Sequence, residues 1–108
     1  MNLRRLFRKT YGIELPIKGG TGDSIDDAIV IDRVSTIDSI KIEEQVLDLI
    51  HDLQDYDYEL VSLESINNEK STYNMYTMKL QCQHTKRIFI KTYYFDITNC
   101  RIMDLKMI

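Results

Sequence analysis

Two stretches of the chain place their apolar residues at the spacing of an amphipathic helix. In residues 2–9, Leu3, Leu6 and Phe7 stand at i, i+3 and i+4 with basic residues between them, which predicts a short basic helix packed on the domain. Residues 40–54 predict one long helix, because apolar residues recur there with helical spacing. The stripe expected to face the core consists of Ile42, Val46, Leu47, Leu49, Ile50 and Leu53.

Four other segments have the composition or the alternation of strands. Residues 28–34 are nearly continuous in apolar character, which predicts a first strand that is central in a sheet or covered on both faces. Residues 58–66, 72–83 and 88–97 predict three more strands, joined by turn-forming residues into a meander. The alternation of the last strand changes phase near Thr92, which predicts a β-bulge there.

The order of these elements predicts an α+β fold: a short helix, one strand, one long helix and a three-stranded meander. The long helix is expected to lie across one face of an antiparallel sheet. A chain of 108 residues suits a single domain, 1–108, in which residues 1–24 form the first helix and a glycine-rich loop and residues 25–108 form the sheet and long helix.

Charge divides the chain into three blocks. The formal net charge is −3, but residues 19–70 carry fourteen acidic side chains against three basic ones, and the segment on either side is net positive. An acidic block argues against nucleic-acid binding, which needs clustered Lys and Arg, and it suits a basic protein partner. The alternative is an acidic surface that only keeps the protein in solution.

Few residues carry the chemistry of a catalytic or metal site. Cys82 and Cys100 are too few for a disulfide scaffold, so both are expected to be reduced thiols in a cytoplasmic protein. Neither His51 nor His84 has a zinc-site spacing or a nucleophile signature near it. The longest apolar run, residues 28–31, is too short for a membrane span. We therefore expect no catalytic residues, no bound metal, no cofactor and no membrane span.

The end of the long helix and the start of the next strand combine acidic and aromatic residues. Tyrosine is favoured at interfaces because it offers a large, stiff, amphipathic surface. Acids at a helix C-terminus oppose the macrodipole, and such local violations tend to mark functional positions. The alternative is that one tyrosine packs in the core and the acids only face water. The predicted partner-binding residues are Glu44, Asp48, Asp52, Asp55, Tyr56, Asp57, Tyr58 and Glu59.

Three short segments resemble a known class of proteins. Residues 19–24 (GGTGDS), residues 26–31 (DDAIVI) and residues 94–97 (YFDI) are similar to segments of small bacterial immunity proteins, which are encoded beside secreted polymorphic or contact-dependent toxins. The resemblance covers residues 17–97 in the order of elements. It implies a cytoplasmic protein that binds and silences a cognate toxin, and it carries over no functional residue.

Two functional hypotheses follow from these features. The first is an immunity or inhibitor protein that neutralises a basic toxin domain through an acidic surface. The second is a small ligand-binding or accessory module of cystatin-like shape, with an apolar pocket between helix and sheet. A pocket lined by Tyr76, Met78, Tyr93 and Phe95 would favour the second hypothesis.

Overall fold

A five-stranded sheet organises the structure, and the helices pack on one of its two faces. The computed structural model describes residues 2–106. The strand order is β1-β2-β5-β4-β3. Helical side chains and one face of the strands form a single hydrophobic core; we call this the helical face, and the opposite face, on which no helix of residues 2–106 packs, the open face. In chain order the elements are α1 (Leu3–Tyr11), β1 (Ile17–Gly19), β2 (Ile29–Ile31), α2 (Thr36–Leu53), β3 (Tyr56–Asn67), β4 (Thr72–Cys82), β5 (Ile88–Asp96) and α3 (Thr98–Lys106).

The sheet is mixed, which corrects the prediction of an antiparallel sheet. β2 pairs in parallel with β5, with Ile29 opposite Phe95, whereas the other neighbouring strands are antiparallel. α2, β3 and β4 lie between β2 and β5 in the chain, and a parallel pair requires such a long connection. The α+β class, the interior position of β2 and the three-stranded meander are confirmed, whereas β1 and α3 were not predicted.

α1 is capped at both ends, and its apolar residues enter the core. The side chain of Asn2 accepts a hydrogen bond from the backbone N–H of Arg5, and Gly12 ends the helix in the left-handed conformation with φ of 67°. Leu3 and Phe7 are buried in the core. The prediction that this basic helix packs on the domain is confirmed.

α2 begins earlier than predicted and presents a different side to the sheet. Ser35 caps it by accepting a hydrogen bond from the backbone N–H of Asp38, so Glu43 lies in the middle of the helix. The predicted stripe is partly wrong. Leu53 is exposed, whereas the polar side chains of Glu43 and His51 are buried, because Asn74 and Tyr93 of the sheet supply hydrogen-bond partners for them. The buried residues of α2 are Ser39, Glu43, Val46, Leu47, Ile50 and His51.

The irregularity predicted in the last strand lies in a different strand. β5 pairs with β4 without interruption from Ile88 to Asp96, so the bulge predicted near Thr92 is wrong. The apparent change of phase arises because Ile88 and Ile90 lie on the open face, where they are 54% and 59% exposed. The register shift is in β3, where Val61 is the extra residue between two paired segments.

Within residues 2–106, none of the helices combines the length and the apolar character that crossing a membrane would require.

Replacing Phe7 with alanine tests the docking of α1. The change empties a fully buried position in the core, so the free energy of unfolding should fall by ~3–5 kcal/mol in urea denaturation. Ile37→Ala is the control, because this side chain is 73% exposed and its loss should change stability by less than ~0.5 kcal/mol. Equal effects of the two changes would show that α1 does not pack on the core.

Candidate partner-binding site

The eight predicted site residues lie on three neighbouring parts of the structure. Glu44 and Asp48 are on the exposed side of α2, and Asp52 and Asp55 lie at or just after its end. The other four begin β3, where successive side chains point to opposite faces. Tyr56 and Tyr58 share the helical face, and Asp57 and Glu59 share the open face, as their register with β4 shows.

Three of the predicted acids bind other groups of the chain. Asp52 accepts a hydrogen bond of 2.5 Å from the hydroxyl of Tyr11, which raises the pKa of Tyr11 to about 12. Asp55 contacts His84 at 3.0 Å, and this hydrogen bond raises the pKa of His84. Asp57 accepts a hydrogen bond of 3.0 Å from the side-chain amide of Gln83, which directly follows β4. These acids therefore connect α1 to the end of α2, and the β4–β5 turn to the start of β3.

The other acids of the predicted set remain available to a partner. Glu44, Asp48 and Glu59 are exposed, and within residues 2–106 they form no intrachain hydrogen bond or ion pair. Glu64, which sequence reasoning left out, has the same properties and lies on the open face of β3. These four carboxylates are exposed to an external contact, although Lys79 stands opposite Glu59 on the neighbouring strand.

Both predicted tyrosines pack against other aromatic side chains. Tyr56 meets Phe89 edge to face, with ring centroids 5.3 Å apart. The ring of Tyr58 lies 4.3 Å from the ring of His51, yet Tyr58 is still 41% exposed. Tyr58 therefore combines a fixed ring with an accessible surface, which suits a binding residue.

A groove lies between α2 and β3, the strand at the edge of the sheet. Glu44 and Asp48 line it on the helix side, and Tyr58 and Leu60 line it on the strand side. Its floor includes the buried side chains of Tyr76 and Met78, and its volume is about 270 Å³. The groove thus combines carboxylates at the rim with an apolar floor.

A buried carboxyl group holds α2 on the sheet beneath this groove. Glu43 is fully buried and accepts two hydrogen bonds, of 2.9 and 3.1 Å, from the side-chain amide of Asn74. Ser65 donates to the amide oxygen of Asn74 at 2.7 Å. The buried hydroxyl of Tyr76 lies beside the carboxyl group of Glu43, and the two groups interact. Burial raises the pKa of Glu43, since water no longer stabilises its charged form.

A second polar group of α2 is buried at its other end. His51 shares a hydrogen bond of 2.9 Å with the hydroxyl of Tyr93, and burial lowers its pKa to about 4. The Nζ atom of Lys91 lies 4.9 Å from the centroid of the Tyr93 ring and 3.0 Å from a carboxylate oxygen of Asp23. His51 is therefore neutral at pH 7, and the contacts continue to the glycine-rich loop.

The contacts of Glu43 with Asn74 and of His51 with Tyr93 were not predicted from the sequence, although the pattern of β4 indicates buried polar residues. The alternation of β4 extends backwards from Tyr76 to Asn74 and Thr72, so it already puts two polar side chains on the apolar face. Both are buried. Helical spacing also puts Glu43 and His51, four residues before and after Leu47, on the buried side of α2, but the burial of an ionisable group depends on partners elsewhere in the chain.

The described residues offer few other groups that could react or bind a metal ion. Cys82 and Cys100 are free thiols, and Cys100 is fully buried. Within residues 2–106, no three side chains of His, Cys, Asp or Glu are grouped so that they could hold a metal ion.

The fold and the site together define an α+β protein with a carboxylate-rimmed groove beside an edge strand. Comparison of the chain with protein-family models, with curated proteins and with solved structures finds no match. The resemblance to immunity proteins therefore stays a prediction from the sequence.

Replacing Glu43 with glutamine tests the buried carboxyl group. Because folding raises its pKa, the protonated form favours the native state, and this contribution is lost as pH rises through the native pKa. The unfolding free energy of the parent should therefore fall relative to that of Glu43→Gln between pH 4 and 8 in urea denaturation. Glu44→Gln removes an exposed carboxylate as the control. If the parent and Glu43→Gln have parallel pH profiles, Glu43 is not a buried titrating group.

Proposed function

We propose that this chain is a non-catalytic binding protein of the immunity or inhibitor type, which neutralises a basic toxin domain by covering it. The observation that carries the proposal is the group of exposed carboxylates around the groove and β3 that form no side-chain hydrogen bond or close ion pair within residues 2–106: Glu44, Asp48, Glu59 and Glu64. A cytoplasmic location, where a producing cell would need protection from its own toxin, is part of the same proposal.

The proposed surface has the two properties that protein recognition requires. Its carboxylates attract a basic domain from a distance and raise the association rate. Tyr58 and Leu60, 41% and 51% exposed beside the groove, supply apolar area that a bound partner would cover. Aromatic anchors ringed by polar groups dominate the binding energy of many interfaces. This combination supports an interface more directly than a scattered acidic surface would.

The groove between α2 and β3 also supports a second candidate function, a ligand-binding module. Two of the four residues expected to line such a pocket, Tyr76 and Met78, are in its floor. Tyr93 and Phe95 are instead buried within the core. Ligand sites of about 300–1,000 Å³ usually enclose most of their ligand. The open groove of about 270 Å³ with acidic rims would suit a small cationic ligand.

Rescue of growth in cells tests the proposed function. The chain is co-expressed with the protein encoded beside it in its genome, and the tagged chain is then purified to see whether the two proteins form a complex. The proposal expects that the neighbouring product is toxic alone, that this chain restores growth and that the two co-purify. A neighbour without toxicity that forms no complex with this chain would contradict the proposal.

The association rate with that partner should depend strongly on salt. Exposed charges separated by more than about 8 Å are screened at physiological ionic strength. Electrostatic steering should therefore make association about tenfold or more slower when salt is raised from low to high concentration. Stopped-flow fluorescence measures this rate. An association rate that does not change with salt would refute the electrostatic part of the proposal.

Neutralising the two carboxylates on the helix rim should weaken binding without harming the fold. Glu44→Gln with Asp48→Asn removes two exposed charges that have no intrachain partner in residues 2–106, so stability should change by less than ~0.5 kcal/mol. Association with the partner should slow. The matched control, Glu69→Gln with Asp26→Asn, removes the same two residue types at exposed positions outside the groove. If both double variants slow association equally, binding depends on net charge and not on the groove.

A further inference from the structure

β3 is a long strand with a paired neighbour on only one side. It spans Tyr56–Asn67, twelve residues, and within residues 2–106 it pairs with β4 alone. Such a strand is about 40 Å long and leaves one row of backbone N–H and C=O groups without a strand partner. Proteins usually protect a free edge with charged side chains, with proline, with a β-bulge or with a very short strand. β3 contains neither lysine nor proline; it has the bulge at Val61 and three acidic side chains, which repel an acidic strand but attract a basic one.

The middle of β3 exposes apolar side chains. Leu60, Val61 and Leu63 are 51%, 57% and 45% exposed. Leu60 and Leu63 point to the helical face, where they stand opposite Met78 and Tyr76 of β4, but α2 does not reach over them. Three exposed apolar side chains within four residues supply surface that an added strand would cover.

Carboxylates flank this apolar segment on both sides of the strand. On the open face of β3 stand Asp57, Glu59 and Glu64. On the helical side, Glu44 and Asp48 line the groove next to Leu60. A sixth strand added at this edge would therefore lie between two rows of negative charge, with apolar side chains of β3 beside it.

The same charges disfavour a second copy of this chain as the added strand. In an antiparallel pair of two β3 strands that keeps their faces matched and places Leu60 opposite Leu63, Glu59 of each copy stands opposite Glu64 of the other. Directly opposed like charges destabilise a strand pair. A strand that carries positive charge replaces each repulsion with an attraction. Charge complementarity therefore selects a basic partner.

We propose that the free edge of β3 binds an extended segment of a partner protein as a sixth strand, in which apolar side chains alternate with lysine or arginine. The apolar side chains contact Leu60 and Leu63, and the basic ones face Glu59 and Glu64. Main-chain hydrogen bonds to β3 hold the segment, as in other cases of strand addition. The inference rests on the proposed function only in that the partner is basic.

Backbone methylation of a model peptide tests strand addition. The probe is a nine-residue peptide of alternating lysine and valine with blocked ends, and fluorescence anisotropy measures its binding to the full chain. Only every second N–H of an added strand points to β3. Of two peptides methylated on alternate backbone nitrogens, one should therefore bind at least about tenfold more weakly, and the other should bind like the parent. Equal binding by both would overturn strand addition.

Charge variants identify the place of binding. Glu59→Gln with Glu64→Gln should weaken binding of the peptide, whereas Glu69→Gln with Asp26→Asn should leave its affinity unchanged. Circular dichroism tests whether both double variants fold. Amide hydrogen exchange should show new protection in β3 when the parent peptide binds. Protection confined to another element would overturn the inference. The proposed function would survive that result if the natural partner still required the carboxylates of the groove.

Sedimentation velocity tests the competing occupant. The chain alone should remain monomeric at concentrations near 100 μM, because β3 strands repel one another. A dimer that Leu60→Lys separates into monomers would overturn the inference by identifying a second copy as the sixth strand. The growth-rescue experiment is independent of this result, so failure of the strand inference and failure of the proposed function can be distinguished.

Discussion

The contact of α2 with the helical face of the sheet depends on a hydrogen-bonded carboxyl group. The side chain of Glu43 is buried between α2 and the sheet and accepts two hydrogen bonds from Asn74. Two turns later in the same helix, His51 contacts Tyr93. An ionisable group without a partner is costly to bury, so each contact fixes the rotation of the helix about its own axis. Val46, Leu47 and Ile50 complete the buried side between them. The position of α2 determines which parts of the sheet are covered.

The uncovered parts of the sheet follow from that position. α2 leaves most of β3 without a covering helix, which opens the groove and exposes Leu60, Val61 and Leu63. The same placement turns Glu44 and Asp48 toward the groove, while the strand alternation sends Asp57 and Glu59 to the open face. The acidic side chains near the edge of β3 therefore form two rows, one on each side of the strand. One buried contact in the core thus shapes the surface that we propose for partner recognition.

Most elements and the α+β class were predictable, because local periodicity and turn residues decide them. The strands of the meander and the long helix appear where alternation and helical spacing predict them. The parallel pairing of β2 with β5 was not predictable, since a three-residue strand has no pattern that selects its neighbour. The sequence predicts the bulge in β5 because Ile88 and Ile90 are apolar although they lie on the open face, so the apolar alternation changes phase without any change of register. Predicted acids such as Asp52 and Asp55 carry no local sign of the side chains they bind.

The sequence by itself determined the helical segments of α1 and α2, the strands of the meander, the acidic block of residues 19–70 and the concentration of acidic and aromatic residues at the end of α2. Spacing along the chain is sufficient for these features, because each depends on residues that are close in sequence. Only the tertiary structure decided that Glu43 is buried and Glu44 exposed, that Asp55 binds His84 and that β3 is an edge strand. Each of these depends on a partner distant in the chain, and burial and hydrogen bonding are properties of the pair.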